Sequence, residues 1–252
     1  MSAAADAVVA EQVAAGQALA ALLNRVAGAL AAQRVDAPTQ VFPLAGLGAA
    51  ARRLLDEVLG EGEVSGLVAL PDGRTLQIQE AVTAGLWRLR LEGGADGART
   101  EFLEVGAIPE AVARAALDFT AEAPAIRPAP PGAMNAMPVL AEVAARAASY
   151  RPGNATHTIN FSLMPVNEVD MDHLQAVLGN GPVLLHSGGY GACRVQATGT
   201  RHVWSVQFFN ASGAVILDTL EIGEVPAAAR AADEDFADSA ARLREIIAAY
   251  CQ

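Results

Sequence analysis

Leu19, Leu22, Leu23, Val26 and Leu30 recur at the three- and four-residue spacing of a helix that buries one face, and Leu140, Val143, Ala144 and Ala147 repeat that spacing further on. After each predicted helix comes a short strand, Thr39–Leu44 in the first case and Thr158–Leu163 in the second. A second helical stretch follows, with Asn167 placed to cap the later one. The pattern then switches to short alternating runs: Val183–Ser187, Ala192–Thr198, Val203–Asn210 and Ala214–Ile222. Gly188-Gly189, Gly199-Thr200 and Asn210-Ala211-Ser212-Gly213 divide these runs, as Pro71-Asp72-Gly73 and Gly93–Gly97 do earlier in the chain. A final helical stripe carries Phe236, Ala240, Leu243, Ile247 and Tyr250. Successive hairpins without helical crossovers predict an antiparallel meander with helices packed on one face, an α+β class.

The two halves also match residue by residue. Leu59-Gly60-Glu61-Gly62-Glu63-Val64 returns as Leu178-Gly179-Asn180-Gly181-Pro182-Val183, and Trp87 returns as Trp204, the only two tryptophans. Leu103–Pro109 returns as Leu220–Pro226; upstream, Leu23, Val26 and Arg34 match Leu140, Val143 and Arg151, and Phe42 and Leu44 are set against Phe161 and Leu163. An ordered series of this kind predicts a tandem duplication. It places a first repeat at 1–120 and a second at 138–252. Between them, residues 121–137 hold Pro124, Pro128, Pro130, Pro131 and Gly132, the composition of a semi-stiff spacer.

Composition narrows the function classes. The 252 residues carry no lysine and a net charge of −11, which excludes lysine nucleophiles and P-loop chemistry and disfavours phosphate backbones as partners. The acidic balance instead favours a basic partner surface. Mean hydropathy is +0.28, largely from alanine, and no uninterrupted apolar run reaches the roughly 18–20 residues of a membrane span. No signal-peptide pattern is read at the N-terminus, and two cysteines without a framework suit a reducing, cytoplasmic setting.

Reactive side chains are concentrated in the second repeat. All four histidines (His157, His173, His186, His202) and both cysteines (Cys193, Cys251) lie there. Opposite them the first repeat offers Leu67 for His186, Leu54 for His173, Gly85 for His202 and Arg74 for Cys193, so it reads as scaffold. The densest candidate site is His186, Ser187, Gly188, Gly189, Tyr190, Gly191, Cys193 and Arg194. Its glycines permit close approach of a partner backbone, and its N–H groups suit an anion nest; a plain hairpin loop accounts for the same residues. Cys193 beside Arg194 fits an activated thiolate or, equally, a small buried hydrophobe. Histidine and cysteine spacing matches no metal motif, Ser187 lacks the nucleophile-elbow context, and no catalytic residue, metal or cofactor is assigned.

The second repeat also resembles a known family. Ile159-Asn160-Phe161-Ser162-Leu163-Met164-Pro165, Leu178–Val183, Gly189–Arg194, Trp204, Phe208-Phe209-Asn210 and Leu217–Ile222 are similar to the conserved C-terminal region of the HupH/HyaF hydrogenase expression proteins. The resemblance implies an accessory role in maturing a nickel–iron hydrogenase. It further implies a chaperone that binds the iron–sulfur small subunit precursor before export, beside a thioredoxin-like accessory protein. Tyr190 is then the preferred aromatic contact, with Trp204 a core residue. Two alternatives remain: a thiol-based redox or iron–sulfur-handling factor using Cys193, and a structural adaptor between maturation proteins.

Overall fold

The structure, a computed structural model, describes residues 3–93, 100–189 and 191–250, with side chains placed from Val13 onward. The first repeat contributes α1 (Ala3–Ala32), β1 (Gln40–Pro43), α2 (Ala49–Leu59), β2 (Val64–Ala69), β3 (Thr75–Glu80), β4 (Leu86–Glu92), β5 (Thr100–Val105) and α3 (Glu110–Asp118). The second contributes α4 (Ala136–Ser149), β6 (His157–Asn160), α5 (Glu168–Leu178), β7 (Val183–Ser187), β8 (Ala192–Ala197), β9 (Val203–Phe209), β10 (Val215–Ile222) and α6 (Asp233–Tyr250). The order of elements is the same in both, and the class is α+β with antiparallel strands.

Strand pairing refines the internal match. Phe42 pairs with Leu103, and Ile159 pairs with Leu220, the counterpart of Leu103. Phe42 therefore corresponds to Ile159, not to Phe161, and Leu44 to Phe161. Burial agrees: Leu44 and Phe161 are buried, whereas Leu163 is 82% exposed. The second repeat spends its two additional residues in a 3-10 turn at Phe161–Leu163. A second correction concerns Cys193. Gly62 N–H donates to Glu80 O and Gly181 N–H to Ala197 O, each at 2.7 Å, which aligns Glu80 with Ala197 and hence Leu76, not Arg74, with Cys193.

The chain folds as two compact units, and these do not follow the repeat boundary. One unit comprises Met1–Glu63, Gln77–Pro109 and Ala231–Gln252; the other comprises Val64–Leu76 and Glu110–Arg230. In the first unit the strands run β1-β5-β4-β3. Its core joins Leu19, Leu23, Val26 and Leu30 of α1 to Leu55 and Leu59 of α2, Leu86, Leu103 and Val105 of the sheet, and Phe236, Ala240, Leu243 and Ile247 of α6. By length and composition Val13–Ala32 also qualifies as a membrane-crossing helix, but its leucine face lies in this core. The sequence of α6 explains its seating. Three acids open the helix at its positive end, and Asp233 Oδ1 accepts the Val35 N–H at 2.7 Å.

The second unit carries the order β2-β7-β8-β9-β10-β6. One face of this sheet, with Ile159, Val203, Leu220 and Ile222, packs against Val139, Leu140 and Val143 of α4 and Leu174 and Leu178 of α5. The opposite face is buried too, through Val183, Leu185, Cys193, Val195, Ala197 and Val206. Burial on both faces adds to the one-sided packing expected from the meander.

The β2–β7 pair has a two-fold character. Val64 faces Ser187, Gly66 faces Leu185 and Val68 faces Val183. Val64 and Val183 are repeat counterparts, as are Val68 and Ser187, so each half makes the same contacts with the other. Such pairing is the self-complementary arrangement of a two-fold dimer, here made within one chain. Gly66 occupies the pseudo-dyad: a Cβ there would lie 2.4 Å from Leu184 O and 2.6 Å from the Leu185 side chain.

The proline-rich segment is anchored, not free. Ala121 N–H donates to Gly199 O and Arg201 N–H to Ala121 O. His173 Nε2 meets Arg127 O at 3.1 Å, and Asn167 donates to Gly132 O. At its end, the N–H groups of Met134, Asn135 and Ala136 each reach Asp170 Oδ1 at 2.8 Å. Proline supplies few donors of its own, so the side chains and carbonyls of α5 and the β8–β9 turn hold the segment.

Candidate partner-binding site

A strand alternates its side chains, so the candidate cluster is divided between two faces of the sheet. Ser187 pairs with Cys193, and both belong to the face that carries Val195 and Val206. His186 pairs with Arg194 on the other face. His186 is exposed, and Gly191 turns the hairpin at φ 129°. Tyr190 lies outside the described residues, as does Cys251.

Cys193 is only 4% exposed and sits opposite Phe208. Burial, with the nearby Glu221 carboxylate second, pushes its thiol up to about 11. The neighbouring Arg194 does not activate it, because the two side chains leave the strand in opposite directions. Leu76 at the equivalent place in the first repeat marks the position as apolar core. A protonated, enclosed thiol is a poor nucleophile. With Cys251 replaced by Ser, Cys193 should react with a disulfide reagent at pH 7 on the order of 100-fold more slowly in the native protein than in urea. Equal rates in the two conditions would contradict the burial.

The histidines do not gather. His157 pairs with Glu142 at 2.8 Å, His173 holds the proline-rich segment, and His202 lies against Tyr150 with ring centroids 4.7 Å apart and planes tilted by 50°. His202 adopts φ 64°, in the turn where the first repeat has Gly85 at φ 78°. That left-handed turn is inherited from the repeat and does not by itself mark a site. No group of three or more metal-ligating side chains occurs among the described residues.

Arg194 leads to the chemistry that the residue pattern did not single out. It pairs with Gln207 across β8–β9, and Gln207 pairs with Asp218 across β9–β10, giving a row of polar side chains on one face. The row lines a cavity of about 60 Å³ under α5, together with Met171, Leu174, Gln175, Asn180, Gln196, Ser205 and Leu220. Gln196 is held by its amide, which donates to Val183 O at 2.9 Å. Gln207 Nε2 donates to Asp218 Oδ2 at 3.0 Å, and the Asp218 N–H to Ser162 Oγ at 3.3 Å. Burial raises the Asp218 carboxyl above its ordinary value, against the opposing pull of the Gln207 hydrogen bond and the Arg194 charge. Leu163 and Ile216, each two residues along the chain from the lining residues Phe161 and Asp218, are well exposed apolar residues. The arrangement is a cleft of polar sheet residues facing apolar ones, among them Phe161, Met171, Leu174 and Leu178, suited to binding a side chain.

The first repeat is not chemically inert at the matching place. Arg52, Asp56, Arg88, Arg90 and Glu101 line a cleft there. Arg52 and Arg88 reach Glu101 at 3.0 and 3.1 Å, Arg88 also pairs with Asp56, and Arg90 lies 3.5 Å from Glu101. Asp218 and Gln207 could have been found from sequence by comparing charged positions between the repeats: the acid recurs at Glu101 and Asp218 while its arginines do not.

The family model for the HupH hydrogenase expression protein C-terminal conserved region matches residues 16–128 and again residues 133–250. The chain belongs to the HupH family. Both halves of this HupH-family chain match, so the duplication covers the first repeat as well as the second. The hydrogenase expression/formation protein HupH of Rhizobium leguminosarum bv. viciae is 50% identical over 92% of this chain and 82% of its own length. HoxQ of Azotobacter vinelandii is 42% identical over 90% and 80%, and the hydrogenase-1 operon protein HyaF of Escherichia coli K12 is 35% identical over 81% and 70%. The solved HupH from Thiobacillus denitrificans is 29% identical, covering 47% of this chain and 99% of that one with a TM-score of 0.44. The family places this chain in hydrogenase maturation.

Proposed function

We propose that this HupH-family chain is a cytoplasmic client-binding chaperone, not an enzyme, which holds the small subunit precursor of a nickel–iron hydrogenase before assembly. The observation that carries the reading is the face of the second repeat on which Arg194, Gln207 and Asp218 line a cleft, with exposed Leu163 and Ile216 within two residues of the lining residues Phe161 and Asp218 along the chain. Polar groups aligned on a sheet give orientation, and the apolar residues of the lining give contact area. The names of the relatives, expression/formation proteins for hydrogenases, supply the class of client. The thiol reading draws less support, since Cys193 is buried and protonated at neutral pH.

The test is native co-purification with tagged protein from cells making the hydrogenase. The unprocessed small subunit should be retained, and a charge-reversing Asp218→Arg variant should retain several-fold less. Equal recovery of the processed subunit, or none of the precursor under oxygen-limited growth, would remove the proposal. A Cys193→Ala variant should support hydrogenase maturation at normal levels in air and at low oxygen.

A further inference from the structure

We propose that the cleft between α5 and strands β8–β10 is a guanidinium-binding subsite, which takes an arginine side chain of the client with Asp218 as its counter-ion. The inference rests on the client-binding reading and names what is bound.

The argument comes from the chain's own second copy of the same cleft. Gln207 faces Asp218 as Arg90 faces Glu101, and Trp204 faces Glu221 as Trp87 faces Glu104. These registers make Asp218 the counterpart of Glu101, Gln207 that of Arg90 and Ser205 that of Arg88. On the helices, Leu174 and Leu178 match Leu55 and Leu59, which makes Met171 the counterpart of Arg52. In the first repeat, Arg52 therefore spans from helix to sheet and places its guanidinium 3.0 Å from the buried Glu101 carboxylate. The second repeat keeps the carboxylate and replaces all three arginines with Met171, Ser205 and Gln207.

A half-buried carboxylate with no ion-pair partner is poorly compensated, since one neutral amide and the more distant Arg194 charge replace only part of its hydration. Among the described residues no ion pair joins Arg194 to Asp218; their strands are separated by β9, roughly 9–10 Å at ordinary strand spacing. The raised Asp218 carboxyl fits that shortfall. The cavity of about 60 Å³ beside it is lined by further oxygens, on Ser205, Gln207 and Asn180. A planar guanidinium offers several donors in one plane and satisfies a carboxylate and a neighbouring acceptor together, which an ammonium group does less well. The first repeat thus shows, with Arg52, the group that the second repeat's cleft has been cleared to receive.

The experiment titrates the nitrogen-15-labelled full-length chain with methylguanidinium chloride, and separately with methylammonium chloride at matched ionic strength. Amide signals of Gln207, Ser205 and Asp218 should shift saturably with methylguanidinium and at least tenfold more weakly with methylammonium. Asp218→Asn should weaken the methylguanidinium response at least tenfold. Met171→Arg supplies the cation from within, as Arg52 does in the first repeat. It should abolish the response, lower the Asp218 carboxyl titration and reduce client retention, with the fold intact. Unsaturable shifts, equal responses to the two cations, or a Met171→Arg protein that still binds methylguanidinium would overturn the proposal. The titration involves no client, so its failure leaves the co-purification result standing, and the converse also holds.

Discussion

Residues 1–120 expressed alone are expected to fail to fold cooperatively, although they contain nearly all of the first family match. The reason lies in the exchange of elements between repeats. The unit built on α1 and α2 obtains α6 from the far end of the chain, and Phe236, Leu243 and Ile247 complete its core. Without α6, the apolar faces of Leu19, Leu23, Val26 and Leu30 lose their partner helix. Conversely, β2 of the first repeat pairs with β7 and α3 packs near both, so residues 138–252 alone lose a strand and a helix. A broad, sloping thermal transition for each half alone, and a sharp one for the two halves mixed, would bear this out; a cooperative melt for either half alone would refute it. Within the intact chain, Phe236→Ala should cost about 3–5 kcal/mol, the range for truncating a fully buried aromatic residue. That cost should appear as a lower chemical-denaturation midpoint.

Asp170→Asn is the second large effect expected, and it should come with a change in acid sensitivity. Asp170 is fully buried and joins three segments. Its Oδ1 accepts N–H groups from Met134, Asn135 and Ala136, and its Oδ2 accepts the Asn167 N–H at 3.1 Å. In return its own N–H is accepted by Asn167, closing a capping box at the start of α5. Burial by itself raises the carboxyl, but the backbone donors of Asn167, Asn135, Ala136 and Met134 outweigh it and hold the group below its ordinary 3.8. A lowered native value means the stabilisation is complete above the unfolded carboxyl's titration and is lost as pH falls through the native one. The native protein should therefore lose stability below about pH 4, where unfolded aspartates protonate. Asp170→Asn should be less stable at pH 7, and its melting temperature should decline less between pH 5 and 3. An amide cannot accept at both ends, so releasing the proline-rich segment is part of the loss. Unchanged melting at pH 7 would show that the segment is held by other contacts.

The candidate site was legible only in part. Its neighbourhood was evident from the glycine turn and from Arg194, yet the residues divide between two faces because a strand alternates. Cys193 and Arg194 are adjacent in sequence and apart in space, so one became core while the other came to line a cleft. Asp218 is locally ordinary within Leu217-Asp218-Thr219, since nothing local distinguishes a half-buried acid from a solvated one. Met171 is equally unremarkable until strand register sets it against Arg52.

Local chemistry determined much of this protein from sequence alone: the helical and alternating periods, the Asn167 cap, the turns, the duplication and the family. Each depends on residues within a few positions of one another or on similarity between halves. Only the tertiary structure decided that α6 completes the core of α1 and α2, that Gly66 lies on a pseudo-dyad, and that Asp170 fastens the proline-rich segment. Those outcomes follow from which buried faces find each other across long stretches of chain. Periodicity states that a face will be buried, but not what will cover it.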